Sequence, residues 1–348
     1  MGYFLFHPTS GYGILHPMSI DFFAIGDIVT EPFIRLHEAS VHCKINNEGC
    51  EICMRWGDKI PYEYEVPVYA VGNSANAAVS AARLGLSTAL RAYVGDDLEG
   101  QKCLDTLASE KVSNDFMVTE AGKKTNHHFV LWYETERTIL VKHEEFDYTI
   151  PDLSEGPKWL YLSSLAANSA PYHQQIIEWL QKFPDTKVAF QPGTFQMKLG
   201  VETLKGIYER TDLFVVNKEE AERILKLEPT DDKRRLLDEL QKLGPKNVVI
   251  TDDRKGAYAK NVDGSYYLVP LYPDSKPPLE RTGAGDAFAS SVTAALALGK
   301  SFEEALLWGP INSMSVVQEV GAQKGLLSRE QLEEFLHNAP AEYTLHNL

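Results

Sequence analysis

Cysteine, positive charge and long apolar runs are all in short supply, and each shortage excludes something. Cysteine occurs four times in 348 residues, at Cys43, Cys50, Cys53 and Cys103. No stretch of about 18 apolar residues exists, so no membrane span is expected. The first 15 residues hold no Lys or Arg and are interrupted by Pro8 and Gly11, which is not the pattern of a secretory signal. A cytoplasmic, reducing location is the expectation. Lys plus Arg number 34 against 49 for Asp plus Glu, a net charge of −15. Such an acidic surface repels nucleic-acid backbones and anionic lipid heads, so neither nucleic acid nor membrane is an expected partner. Anionic small molecules stay open, because a local ring of backbone N–H groups holds a phosphate inside an acidic protein. Internal repeats, heptads and low-complexity tracts are absent too.

What is present is alternation. Apolar runs at residues 21–28, 87–94, 159–162, 187–190, 212–216 and 247–251 read as strands. Residues 76–84, 174–182, 201–210, 218–225 and 233–243 read as helices. That order predicts an α/β fold, a mostly parallel central sheet with helices on both faces. Two regions break the rhythm. Residues 31–70 carry alternating patches such as Tyr62-Glu63-Tyr64-Glu65-Val66, and residues 126–143 read as a hairpin turning at Glu134-Thr135-Glu136. Together they predict a small β lid beside the main sheet. Residues 1–17 are read as an N-terminal extension, appended or mis-started, ahead of one domain over 18–348.

The chemistry concentrates at Thr282-Gly283-Ala284-Gly285-Asp286, followed by an Ala-rich helical pattern. A Gly-rich turn opening a helix aims backbone N–H groups at one point, at the positive end of the helix dipole. That suits charge building on a transferring phosphoryl group. Asp286 falls in the first turn, where a carboxylate can take the proton of an attacking alcohol. Taken alone, the turn is equally a plain helix start with a dipole-favoured acid.

Its companions decide the matter. Residues 283–288 read Gly-Ala-Gly-Asp-Ala-Phe; Val71-Gly72-Asn73-Ser74-Ala75-Asn76 leads to Ala82-Arg83-Leu84-Gly85; then come Val94-Gly95-Asp96-Asp97-Leu98-Glu99-Gly100 and Asn217-Lys218-Glu219-Glu220. In this order they resemble the ribokinase-like (PfkB-type) carbohydrate kinase family, from about residue 21 to 335. The resemblance implies a three-layer α/β domain with a β lid and ATP-dependent phosphorylation of an alcohol. It implies Asp286 as catalytic base and the amides of Gly283, Ala284 and Gly285 as anion hole. Asn217 and Glu220 would organise Mg²⁺ and its waters; an N-cap with its capping-box partner explains the same pair locally. Thr251 and Gly256 would lie along the nucleotide, and Asn312 would line the adenine pocket. Glu31, Gly72, Asn73 and Asn76 would meet the acceptor, with Gln191 at the rim. A homodimer through the lid is implied as well.

Departures from the pattern limit these expectations. Glu31 stands where the family has Asp, Val71 where it has Gly, and Asp253 where Gly is usual. Glu280-Arg281-Thr282 replaces Asp-Thr-Thr, so a monovalent cation is not assumed. The acceptor is a sugar or sugar-like molecule, with a nucleoside or phosphosugar as alternatives; for a phosphosugar, Arg35, Lys44 and Arg55 are the basic candidates. From another class, the rival is a catalytically weak binding protein that kept the fold. Lastly, His42-Cys43 and Cys50-Glu51-Ile52-Cys53 allow a lid-stapling zinc site on Cys43, Cys50 and Cys53, simple packing, or a redox pair.

Overall fold

A computed structural model describes residues 19–43, 50–134 and 136–348. The proposed extension at 1–17, Lys44 and the turn residue Thr135 lie outside the described residues. Elements are numbered along the chain. The central sheet runs in the order β17 (His346–Asn347), β16 (Tyr266–Val269), β15 (Ala257–Lys260), β14 (Asn247–Thr251), β13 (Leu213–Asn217), β12 (Lys187–Phe190), β11 (Trp159–Leu162), β1 (Phe22–Ile25) and β6 (Thr88–Arg91). Strands from β6 to β14 pair in parallel, while β15, β16 and β17 are antiparallel additions at one edge.

Successive strand residues point to opposite faces, and the core divides accordingly. Phe22 and Ala24 pack with α1 (Asn73–Arg83), α2 (Leu98–Ser109), α8 (Ala284–Ala297), α9 (Phe302–Val316) and α10 (Arg329–His337). Phe23 and Ile25 face the helices α3 (Ala170–Lys182), α5 (Lys205–Arg210), α6 (Lys218–Leu225) and α7 (Lys233–Lys242). A short α4 (Thr194–Leu199) follows β12. Small residues let α1 and α8 approach closely: both present buried Ala and Ser to each other's side of the sheet. The expected three layers are present.

The lid is a second sheet in the order β10 (Glu136–Lys142), β9 (His127–Tyr133), β2 (Val29–Leu36) and β5 (Tyr62–Val71). It grows directly from the end of β1 and returns directly into α1, so its root lies at the carboxyl end of the main sheet. Asp97 fastens the other side of that root. It caps α2 through Gly100 N at 3.0 Å and accepts from Thr125 Oγ1 at 2.6 Å, just before β9.

Several element boundaries differ from expectation; the strand expected over 21–28, for one, is confined to Phe22–Ile25. The apolar run at 87–94 is split between β6 and β7 (Tyr93–Gly95), the latter pairing with β8 (Val118–Glu120) in a separate small sheet. The helix expected over 201–210 starts only at Lys205, because the left-handed Gly200 and a run of turns precede it.

The cysteine segment forms a small hairpin, β3 (Ser40–His42) and β4 (Glu51–Cys53), at the end of the lid. Cys43 is disulfide-bonded to Cys50, and Cys53 and Cys103 are free thiols. This corrects the zinc expectation: two of its three ligands are bonded to each other. Among the described residues no group of three His, Cys, Asp or Glu is placed to hold a metal. Thiol titration of the unreduced, denatured chain is expected to find Cys53 and Cys103, and all four cysteines after reduction. Four thiols without reduction, together with stoichiometric zinc, would restore the metal reading. Among the described residues no helix is long and apolar enough to cross a membrane.

Candidate active site

Parallel sheets leave a crevice at the carboxyl ends of their strands, and here that crevice collects the motif residues. A polar cavity of about 300 Å³ is walled by Glu31, Gly72, Asn73, Asn76, Gln191, Asn217, Glu220 and the turn Thr282, Gly283, Gly285, Asp286, with Arg137 and Ile139 from the lid. A second cavity, of about 490 Å³, has a more apolar wall that includes Leu271, Tyr272, Phe288, Pro310, Met314 and Val317, together with Thr251, Gly256 and Ser313. Thr251, Arg281 and Gly285 line both. The two cavities therefore meet at the Gly-rich turn.

The turn owes its shape to Gly283, the N-cap of α8, at φ 81°. The first N–H groups of a helix have no intrahelical acceptor, and the residues that carry them here, Ala284, Gly285 and Asp286, line the two cavities. Asp286 is held from two sides. Asn76 Nδ2 donates to its Oδ2 at 2.8 Å, and Gln191 Nε2 donates to its Oδ1 at 3.0 Å. Both amides are fixed in that sense by further bonds. Asn76 Oδ1 accepts from Gln323 Nε2 at 3.0 Å, and Gln191 Oε1 accepts from Tyr161 OH. Burial pushes the Asp286 carboxyl above its ordinary value; the two amide bonds pull it down, Glu31 raises it and Arg137 lowers it, with the net direction upward.

Asn76 thus bonds both Asp286 and Gln323 while it also lines the polar cavity. Gln191, expected only at the rim, is a direct partner of Asp286. Glu31 lies on β2 with Oε1 at 3.1 Å from His128 Nδ1; His128 Nε2 is 3.1 Å from His143 Nε2, and His143 Nδ1 is 3.7 Å from Asp27. That chain ties Glu31 to both sides of the lid root. Gly72 caps α1 at φ 113°, where a Cβ would sit 2.8 Å from the Asp27 carbonyl oxygen.

Asn217 and Glu220 form a reciprocal capping box, Asn217 Oδ1 accepting from Glu220 N at 2.8 Å and Glu220 Oε2 from Asn217 N at 2.9 Å. Burial raises the Glu220 carboxyl, and the bond from Asn217 opposes that. Asn217 and Glu220 both line the polar cavity. An oxygen-only donor set of this kind fits Mg²⁺ held largely through waters. Glu280 does not fit a monovalent cation: it is buried, and its two oxygens accept from Thr282 N at 2.6 Å and Gly321 N at 2.9 Å. It braces the turn.

Several assignments move. Asn312 is fully buried, donating to Ser291 Oγ at 2.8 Å and accepting from Leu327 N at 3.0 Å. Its neighbours Pro310, Ser313, Met314 and Val317 line the larger cavity instead. Arg35 stacks over Trp132 at 4.4 Å and donates to Glu134 O, and Arg55 pairs with Asp58 on the surface. Neither reaches the polar cavity. Asp253, in the usual place of a glycine, adopts φ 44° and pairs with Arg281 at 2.7 Å.

Residues 41–329 match the family described as pfkB family carbohydrate kinase. The ribokinase of Bacillus subtilis is 28% identical over 270 residues, covering 76% of this chain and 87% of its own. The structure of Arabidopsis thaliana ribokinase complexed with ribose and ATP superposes with a TM-score of 0.74 at 18% identity, over 92% of this chain and 99% of that one. A nucleoside kinase of Methanocaldococcus jannaschii superposes with a TM-score of 0.72 at 17% identity, over 92% and 99%.

Proposed function

The chain belongs to the pfkB family of carbohydrate kinases, and on that premise we propose that it transfers the γ-phosphoryl group of ATP to a hydroxyl of a sugar or sugar-like molecule. The carrying observation is the Asp286 carboxylate, clamped by Asn76 and Gln191 where a polar cavity meets a larger, more apolar one. The polar cavity is the acceptor site and the larger one the nucleotide site, in keeping with the ribose and ATP of the Arabidopsis ribokinase.

In this reading Asp286 takes the proton of the acceptor hydroxyl as its oxygen bonds to the γ-phosphorus and the bond to the ADP oxygen breaks. The amides of Gly283, Ala284 and Gly285 face the negative charge that spreads over the phosphoryl oxygens. Asn217 and Glu220 would hold Mg²⁺, which when bound neutralises charge on the nucleotide phosphates. Glu31, Gly72 and Asn73 contact the acceptor, and the lid keeps water from competing for the phosphoryl group. Phe129 and Leu140, paired on the outer face of the lid, are exposed, which supports pairing of two copies through that face.

A panel of sugars, nucleosides and phosphosugars scored for ATP consumption tests the proposal. Phosphorylation of at least one sugar-like acceptor, lost in the Asp286→Asn variant, is expected. Silence across the panel would favour a binding protein that kept the fold.

A further inference from the structure

One guanidinium of the acceptor cavity has no hydrogen-bond or ion-pair partner among the described residues. In the lid, Arg137 pairs across strands with Trp132, and Ile139 with Val130. Residues directly opposite on antiparallel strands share a face, so Arg137 projects with the buried Trp132 and Val130 toward the cavity that it lines. Its Nε is buried without a hydrogen-bond partner, and among the described residues no carboxylate lies within ion-pair distance. The other arginine of this cavity, Arg281, is paired with Asp253 at 2.7 Å.

Buried polar groups are rarely left unsatisfied, and one that faces a cavity calls for a ligand atom. The Nε edge of arginine offers two parallel N–H groups, which match the two oxygens of a carboxylate or phosphate better than a single hydroxyl. The transferring phosphoryl group is a poorer match. It belongs where the cavities meet, beside Gly285 and Arg281, which line both, whereas Arg137 lines the acceptor cavity and not the nucleotide cavity. We propose that the acceptor carries an anionic group, carboxylate or phosphate, which docks against Arg137 while its reacting hydroxyl lies at Asp286. This rests on the assignment of the polar cavity to the acceptor. It makes Arg137 the residue that selects sugar acids or sugar phosphates over neutral sugars.

Calorimetric binding without nucleotide tests this independently of turnover. The probes are gluconate for a carboxylate, ribose 5-phosphate and fructose 6-phosphate for a phosphate, and ribose and fructose as neutral counterparts. At least one anionic probe should bind the wild type more tightly than the neutral sugars, and the class that binds identifies the anion. Arg137→Gln should weaken that probe by about 10- to 100-fold, as expected for losing a hydrogen-bonded charge. Arg137→Lys should recover part of the loss, and the neutral sugars should not respond. In turnover, the KM of the anionic acceptor should rise while the KM of ATP holds. Failure of every anionic probe to bind, or equal binding of neutral sugars, overturns the proposal. So does a uniform fall in kcat for all acceptors in Arg137→Gln with binding unchanged, which would make Arg137 a phosphoryl clamp. Arg137-dependent binding without ATP consumption would instead refute the kinase reading and leave this inference standing.

Discussion

Asp286→Asn should lower kcat by about 10²- to 10⁴-fold, the range typical of a lost general base, while nucleotide affinity stays close to wild type. The surroundings make this substitution harsher than its shape suggests. Asn76 and Gln191 both turn an NH₂ group toward position 286, and each is locked in that sense by Gln323 or Tyr161. An asparagine there can accept one of those bonds but must set its own NH₂ against the other. The site therefore selects an acceptor of two hydrogen bonds, which only a carboxylate supplies. The sign of the pH dependence follows from the same burial. The base works deprotonated, and burial holds its carboxyl above the ordinary value of 3.8. Activity should fall as pH drops through that raised value, so the acid limb of kcat/KM lies above the range of an exposed aspartate. Wild-type turnover in Asp286→Asn, measured as ADP release at saturating acceptor, would remove Asp286 from its role.

Most of the layered fold was readable because it rests on local pattern. Buried strands of four or five residues followed by helices fall almost where periodicity puts them, as at β11, β12 and β13. Failure came where two structures share one pattern. Residues 88–94 are all buried, so nothing in their hydropathy marks the exchange of sheets between Arg91 and Tyr93. Within the site, contiguous motifs were visible and the contacts between them were not. Asn76 and Asp286 are 210 residues apart, and Gln191 is 95 from Asp286. Arg137 belongs to no motif, and only the register of the lid reveals which way it faces. Asn312 could have been corrected from sequence: Pro310, Ser313, Met314 and Val317 recur at helical spacing, and that stripe leaves residue 312 on another face.

Gly283→Ala should cost both stability and activity, and comparison with Gly285→Ala separates the two. At φ 81° any side chain is strained, a penalty of about 1–2 kcal/mol. The added methyl would also lie 2.4 Å from Ala322 Cβ and 2.6 Å from Ala322 Cα. That neighbour cannot retreat freely, because Glu280 holds the adjoining Gly321 N at 2.9 Å while bracing Thr282 N with its other oxygen. Overpacking against pinned backbone adds about 1–3 kcal/mol. The melting temperature should drop by several degrees, with kcat reduced by about 10²-fold or more as the amides lose their aim. Gly285 meets nothing within 4 Å and sits in the first turn of α8. Alanine there should keep or slightly raise the melting temperature, since it favours helix over glycine by about 1 kcal/mol. Its methyl would nonetheless stand on the wall shared by both cavities, so phosphoryl transfer should still fall sharply. Full activity in either variant would place the anion-binding amides somewhere other than this turn.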